Sequence, residues 1–411
     1  MIPKKIAAGI ALAAALPLTL TACGGGGSDS GTDPGATEQV TSLSILDYYN
    51  NDPDKQLVQK GLDTCAEQLG ITINRETVPG DTLIAKVLQQ ASSKTLPDVL
   101  MLDNPDIQQI AATGALAPLG AYGITGDGIQ EGVVQAATYE GELYGAQPVT
   151  NTIAIFYNKD ILAKAGVEPP KTWAELKDTA KKLTSGKQYG FAFDGTADYE
   201  GAWQFLPAMW TNGGDETALT SPEVAEALQL WKDLVDDGSA SKSVVTWSQG
   251  DVADQFKAGR AAMMLNGPWN IPSLSEEKSL NWGTATFPVN KEGQASVAPL
   301  GGEAWTVPVT GDDAKQAKAA EFVKCLNSDD VAMQFAKDRS VIPTNLELAK
   351  TYAAEVPEMA AFATQVATAR SRTGKLGDKW PDTAKIIYSG VQLTLTGQSA
   401  PADAMAKAGA Q

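Results

Sequence analysis

Histidine is absent from all 411 residues. Its absence excludes histidine-dependent triads, imidazole metal sites and histidine proton shuttles together. No metal or cofactor is expected. Basic residues are outnumbered, 32 Lys and Arg against 49 Asp and Glu, for a net charge of −17. That balance argues against nucleic acid or acidic lipid as partners, since both require clustered cations. Long apolar runs are also missing after the N-terminus. No stretch of about 18 apolar residues recurs, so no membrane-spanning helix is read from the rest of the chain. Cysteine occurs three times, at positions 23, 65 and 325.

The N-terminus reads as a targeting segment. Lys4 and Lys5 precede an apolar, alanine-rich run from Ile6 to Leu20 that is short for a span. Leu20-Thr21-Ala22-Cys23 resembles the bacterial lipobox. The resemblance implies a signal peptide over 1–22, cleavage before Cys23, and a diacylglyceryl group on its sulfur. Loss of the two lysines makes the charge two units more negative. Residues 23–40, opening Gly24-Gly25-Gly26-Gly27-Ser28, form a flexible tether with nothing to bury. Two acyl chains suffice for stable anchoring, which places the body at the extracellular face of a bacterial membrane. The remaining 370 or so residues exceed what one core holds and should form two domains.

The pattern behind the tether is strand, helix, strand, helix, strand. Thr41 to Asp47 alternates, Asp54 to Leu69 has helical periodicity, and Ile71 to Val78 is a second strand. Leu83 to Ala91 is helical, and Val99 to Leu102 is an uninterrupted buried strand. Such an order predicts parallel strands flanked by helices, with ligands beyond the strands' carboxyl ends. That rule selects Tyr48–Asn51 and Asp103–Asp106. The pattern restarts after residue 150, with strands at Ile153–Tyr157, Gly190–Phe193 and Ala261–Leu265. Pro169-Pro170 is expected to end one helix. Thr172 and Glu175 have capping-box spacing for the next. Ser221 is expected to cap a helix over Pro222–Val235.

The stretch from Phe156 to Leu176, FYNKDILAKAGVEPPKTWAEL, resembles the hinge-proximal segment of maltose-binding-type extracellular solute-binding proteins, the receptors of ABC importers. Phe256 to Trp269, ending in Gly-Pro-Trp, resembles a second hallmark, and Gly301 to Trp305 resembles the return to the first lobe. The resemblance implies an α/β, type II two-lobed fold. Each lobe is then a mixed, mostly parallel sheet flanked by helices, joined by a hinge of three crossings. Residues 41–149 with 301–345 form lobe one, and 150–300 with 346–411 form lobe two. Cys65 and Cys325 then fall in the same lobe, and a disulfide between them is expected, with two separate buried thiols as the alternative. The implied function is capture of a carbohydrate, a di- or oligosaccharide, and its delivery as a monomer to membrane permease subunits.

A sugar offers hydroxyl edges for carboxylates and amides and C–H faces for aromatic rings. The expected ligand set is therefore Tyr48 and Asn50 in the first loop, Asp103 and Asn104 after the buried strand, and Asn151 at the first crossing. Lobe two adds Tyr199, Glu200, Trp203, Trp247 and Trp269. Glu303, Trp305 and Trp380 complete it. Trp269 aligns with a sugar-stacking tryptophan of the family. Asn151 departs from the family's carboxylate. Trp173, Trp210, Trp231 and Trp282 are assigned to packing. No loop in the set carries a basic cluster. The alternatives are a polyamine, amino acid or phosphoester ligand, a carbohydrate-active enzyme built on paired carboxylates, and a surface adhesin or signalling partner. No enzymatic role is expected.

Overall fold

Leu43 and Ile45, with Leu46, bury the first strand, Ser42–Asp47, inside a five-stranded sheet. The computed structural model describes residues 39–411; the leader, Cys23 and the chain up to residue 38 lie outside the described residues. The strand order is Thr72–Thr77, Ser42–Asp47, Val99–Asp103, Glu303–Thr306, Gly145–Ala146. The first three run parallel, and Glu303–Thr306 returns antiparallel with Glu303 opposite Asp103. Asp54–Leu69 and Asp313–Leu326 pack together on this unit, and Cys65 and Cys325 form a disulfide between them.

The second sheet has the order Trp282–Ala285, Ala154–Asn158, Ala261–Asn266, Tyr189–Ala192. It is mixed, because Ala154–Asn158 runs antiparallel to both neighbours and only Ala261–Asn266 and Tyr189–Ala192 are parallel. Both faces are buried. Ile155, Phe191 and Met263 face helices Trp173–Leu183, Tyr199–Thr211 and Pro222–Asp236. Phe156 and Met264 face the other way, where the Phe156 ring lies 5.5 Å from Phe362 and 5.8 Å from Trp282. Burial of each such side chain contributes about 1.5–3 kcal/mol.

The chain passes between the sheets near residues 149–153, 299–303 and 343–356. Val149–Thr150 pairs with Ile342–Pro343, and Asn151 bridges Gly301. On one side the apolar contacts continue from one sheet to the other through Tyr352, Met359 and Phe362.

Two helix ends differ from the sequence expectation. The helix Lys159–Ala165 stops at Gly166, whose φ of 63° lets its N–H reach Ala163 O while Val167 N–H reaches Leu162 O. The glycine cap ends it before Pro169-Pro170 is reached. Ser221 occupies the cap position of Pro222–Asp236, but its hydroxyl makes no cap hydrogen bond. Pro222 stands at the first helical position without an N–H, so the helix begins with one donor fewer to satisfy. The Thr172–Glu175 capping box forms in both directions, at 3.2 and 3.1 Å.

Candidate functional site

The loop after the first strand is set by a buried ion pair. Asp47 accepts from Arg75 Nε at 2.7 Å and Nη2 at 2.9 Å, and its Oδ1 also takes the Tyr49 N–H at 2.8 Å. Loss of one partner from such a pair costs about 3–5 kcal/mol, so the loop is firmly placed. It presents two phenols to one carboxylate. Tyr48 Oη donates to Glu303 Oε1 at 2.6 Å, and Tyr49 Oη donates to Oε2. Burial, then the charge of Glu303, pushes the Tyr48 hydroxyl well above its usual value. Burial does the same for Tyr49. The Arg339 guanidinium lies 4.5 Å over the Tyr49 ring and bonds Asp54 at 2.7 Å. Asn50 closes the turn, donating its N–H to Tyr48 O at 2.7 Å.

Sheet register puts Asp103 beside Glu303. Asp103 Oδ1 accepts from Asn104 N at 2.9 Å and from Arg372 Nη2 at 2.9 Å. Asn104 is fully buried and its amide is used within the protein: Oδ1 accepts from Arg372 at 3.3 Å, and Nδ2 donates to Leu300 O at 3.4 Å. Arg372 in turn stacks 4.5 Å over the Trp203 ring, so a guanidinium joins the Asp103 loop to the helix Tyr199–Thr211. Gly301 makes this approach possible. A Cβ there would lie 2.1 Å from Asn151 Oδ1 and 2.6 Å from Trp203 Cη2.

The facing wall comes from the second sheet. Asp198 caps the helix Tyr199–Thr211, accepting from Glu200 N and Gly201 N, and so orients Tyr199, Glu200 and Trp203. Tyr199 is 43% exposed and meets Tyr388 edge-on at 6.3 Å. Its hydroxyl is pushed up to about 12, by burial and then by Asp106 of the first sheet's loop. Glu200 accepts a long hydrogen bond from Gln249 N at 3.5 Å, and Gln249 O accepts from Asn266 Nδ2 at 2.9 Å. Asn266 leads into the Gly-Pro-Trp turn, where the half-buried Trp269 ring folds over Gly267. Asp194, beyond the strand Tyr189–Ala192, is raised to about 8 by burial.

The structure therefore brings together Tyr48, Asp103, Asn104, Asn151, Trp203 and Glu303, with Tyr199, Glu200 and the Trp269 turn chained to them. Two of the named tryptophans lie in the cores. Trp305 and Trp380 are 3% and 1% exposed within the cores of the first and second sheets, so neither ring offers a face to a ligand. Trp247 packs edge-on against Tyr189 at 6.5 Å, beside the opening residue of its strand. Sequence reasoning selected the loops that hold Tyr49 and Asp106 without naming either in the ligand set, and missed Arg339 and Arg372 altogether. The Tyr48-Tyr49 doublet carried a signal for the first. The cation missing from the selected loops arrives from Arg372, 269 positions from its partner Asp103.

The sequence profile of bacterial extracellular solute-binding proteins matches residues 61–364. A binding protein of Brucella abortus is 29% identical over 388 residues, covering 90% of this chain and 92% of its own. The maltooligosaccharide ABC transporter solute-binding lipoprotein of Streptococcus pneumoniae is 27% identical over 374 residues, covering 85% and 82%. Among solved structures, the GacH receptor of Streptomyces glaucescens, determined unliganded and with acarbose, superimposes with a TM-score of 0.80 at 27% identity, covering 91% of this chain and 97% of that one. The fold is thus that of a two-lobed binding protein. The chain belongs to the bacterial extracellular solute-binding protein family.

Proposed function

We propose that this protein is the substrate-binding receptor of an ABC importer and that its ligand is a neutral di- or oligosaccharide. Residues 41–149 with 301–345 act as lobe one, and 150–300 with 346–411 as lobe two. Cys23 carries the lipid that holds the receptor, as a monomer, on the outer face of the membrane beside its permease subunits. The observation that carries the reading is the floor of the cleft. Glu303 stands opposite Asp103, Arg372 ties Asp103 to the Trp203 ring, Gly301 lies against both Asn151 and Trp203, and Trp203 shares its helix with Tyr199 and Glu200. Carboxylates and amides suit hydroxyl edges, and the rings suit C–H faces. The relatives named for maltooligosaccharides, and GacH with acarbose, support the same ligand class.

Capture works by hinge closure. A ligand touching both lobes binds the closed form more tightly than the open one, and that difference shifts the population. A polyamine is the second reading, favoured by Asp106, a buried carboxyl that forms no ion pair among the described residues. Thermal unfolding with mono- to tetrasaccharides, spermidine and glycerophosphocholine separates them, because a native-state ligand at 100 times Kd adds about 2.7 kcal/mol. A rise with sugars alone is expected. A rise with spermidine alone, or sugar cleavage during incubation, would overturn the receptor-for-sugar reading.

A further inference from the structure

Residues 370–377 are fastened at both ends to the second sheet's side of the molecule and in the middle to the first. At one end Arg370 bonds Glu216 at 2.8 and 3.0 Å and stacks 4.6 Å over Trp210. At the other end Lys375 pairs with Asp215, and the helix Trp380–Leu395 that follows packs on Tyr199–Thr211 and Pro222–Asp236. Between these anchors the chain turns to the first sheet. Arg372 Nη2 donates to Asp103 Oδ1 at 2.9 Å, and Thr373 Oγ1 accepts from Gln108 Nε2 at 3.3 Å. Gln108 is itself fixed by the carbonyls of Gln135 and Ala136, at 3.1 and 3.3 Å. Gly377 folds the segment down onto it. Its N–H donates to Thr373 O at 2.8 Å, its φ is 59°, and a Cβ there would come 3.3 Å from Gln108 Oε1.

These ties are discrete polar bonds, and a groove of about 760 Å³ lined by Ile129, Gln135, Thr373 and Leu376 runs beside them. Arg372, Thr373 and Gln108 are nevertheless only 5%, 2% and 7% exposed, so neither bond is traded freely for water. The three chain crossings are covalent and persist when a hinge bends, whereas side-chain bonds can part. We propose that residues 370–377 are a strap that draws the two lobes together before any sugar arrives, with Arg372–Asp103 and Thr373–Gln108 as its two catches. Once the catches open, the lobes swing apart and the ligand alone must drive closure. Apparent affinity scales with the fraction of receptor in the arrangement the ligand stabilises. A catch such as Thr373–Gln108 therefore strengthens binding with no contact to the sugar required. The inference rests on the two-lobed receptor reading and not on which ligand fills the cleft.

The test is small-angle X-ray scattering of the protein without sugar. The wild type is expected to reproduce the scattering curve of this structure. Thr373→Val, which keeps the shape and removes the acceptor, and Arg372→Gln, which removes the charge, are expected to raise the radius of gyration. Thr373→Val decides if Arg372→Gln does not fold. Stopped-flow binding follows, with whichever sugar of a panel from maltose to maltotetraose, trehalose, cellobiose and tagatose raises the melting temperature most. Thr373→Val is expected to show faster association and still faster dissociation, with Kd weakened about two- to tenfold. A Thr373 that only stabilised the fold would lower the melting temperature and leave the scattering curve and both rates unchanged. Identical scattering from the wild type and folded Thr373→Val, or a sugar-free wild type as open as the variants, would overturn the strap. Scattering that separates the proteins while no sugar binds would keep the strap and overturn the carbohydrate reading.

Discussion

Asp106 allows a stability measurement worked from the structure. Burial raises its carboxyl from 3.8 to about 7, with Asp103 adding to the shift and Arg372 opposing it. The charge of Asp106 in turn helps raise the Tyr199 hydroxyl. The sign follows from proton counting. Between the unfolded value near 4 and the folded value near 7, the native state holds a proton that the unfolded chain has released. Stability contributed by the neutral carboxyl is therefore full below about pH 4 and is lost as pH rises towards 7. From pH 5 to pH 8 the loss spans about two pH units, or about 3 kcal/mol. Asp106→Asn does not titrate and keeps nearly the same shape. It is expected to match the wild type more closely at pH 5 and to exceed it by a further 3 kcal/mol or so at pH 8. For a body of this size the added margin is about 4 °C in melting temperature. Urea unfolding of both proteins at the two pH values reads it directly. An equal difference at pH 5 and pH 8 would refute the argument that Asp106 is desolvated.

Gly301→Ala should destabilise the hinge by about 1–3 kcal/mol and weaken ligand binding, since its Cβ would meet Asn151 and Trp203; thermal melts and titration of the same sample check both effects. Cys325→Ser opens a disulfide that joins residues 260 positions apart, and up to about 5 kcal/mol is at stake on the chain-entropy model. Denaturant midpoints with and without reductant should converge in that variant and diverge in the wild type. Trp269→Ala should cost about 1–3 kcal/mol of sugar affinity at unchanged melting temperature. Tight binding by that variant would remove Trp269 from the site.

Local signals were read well and long-range ones poorly. Thr172 and Glu175 are three residues apart, and their capping box forms as spaced. The helix Asp54–Leu69 has the bounds its periodicity suggests. The loops of Tyr48 and Asp103 were selected because they follow the carboxyl ends of strands, a rule needing only the element order, whereas Glu303, the first residue of its strand, was selected from the two glycines before it. Trp305 and Trp380 were misleading because turn-like neighbours, Gly301-Gly302 and Lys379 before Pro381, flank rings that tertiary packing draws into the cores. Arg372 carried no local mark. Arg370, two residues earlier, is fastened to Glu216 at 2.8 and 3.0 Å, stacks on Trp210 at 4.6 Å and bridges Pro299 through its backbone, contacts between residues far apart in sequence. Ser221 and Gly166 make a smaller point: a neighbouring proline or glycine can take over the role assigned to the more obvious residue.

A crystal structure of the folded body with its best-binding sugar tests the central claim most directly. The sugar is expected between the lobes, touching Asp103 or Asn104 on one side and Tyr199, Glu200 or Trp269 on the other. Density for the sugar on one lobe alone, or outside the cleft, would contradict it.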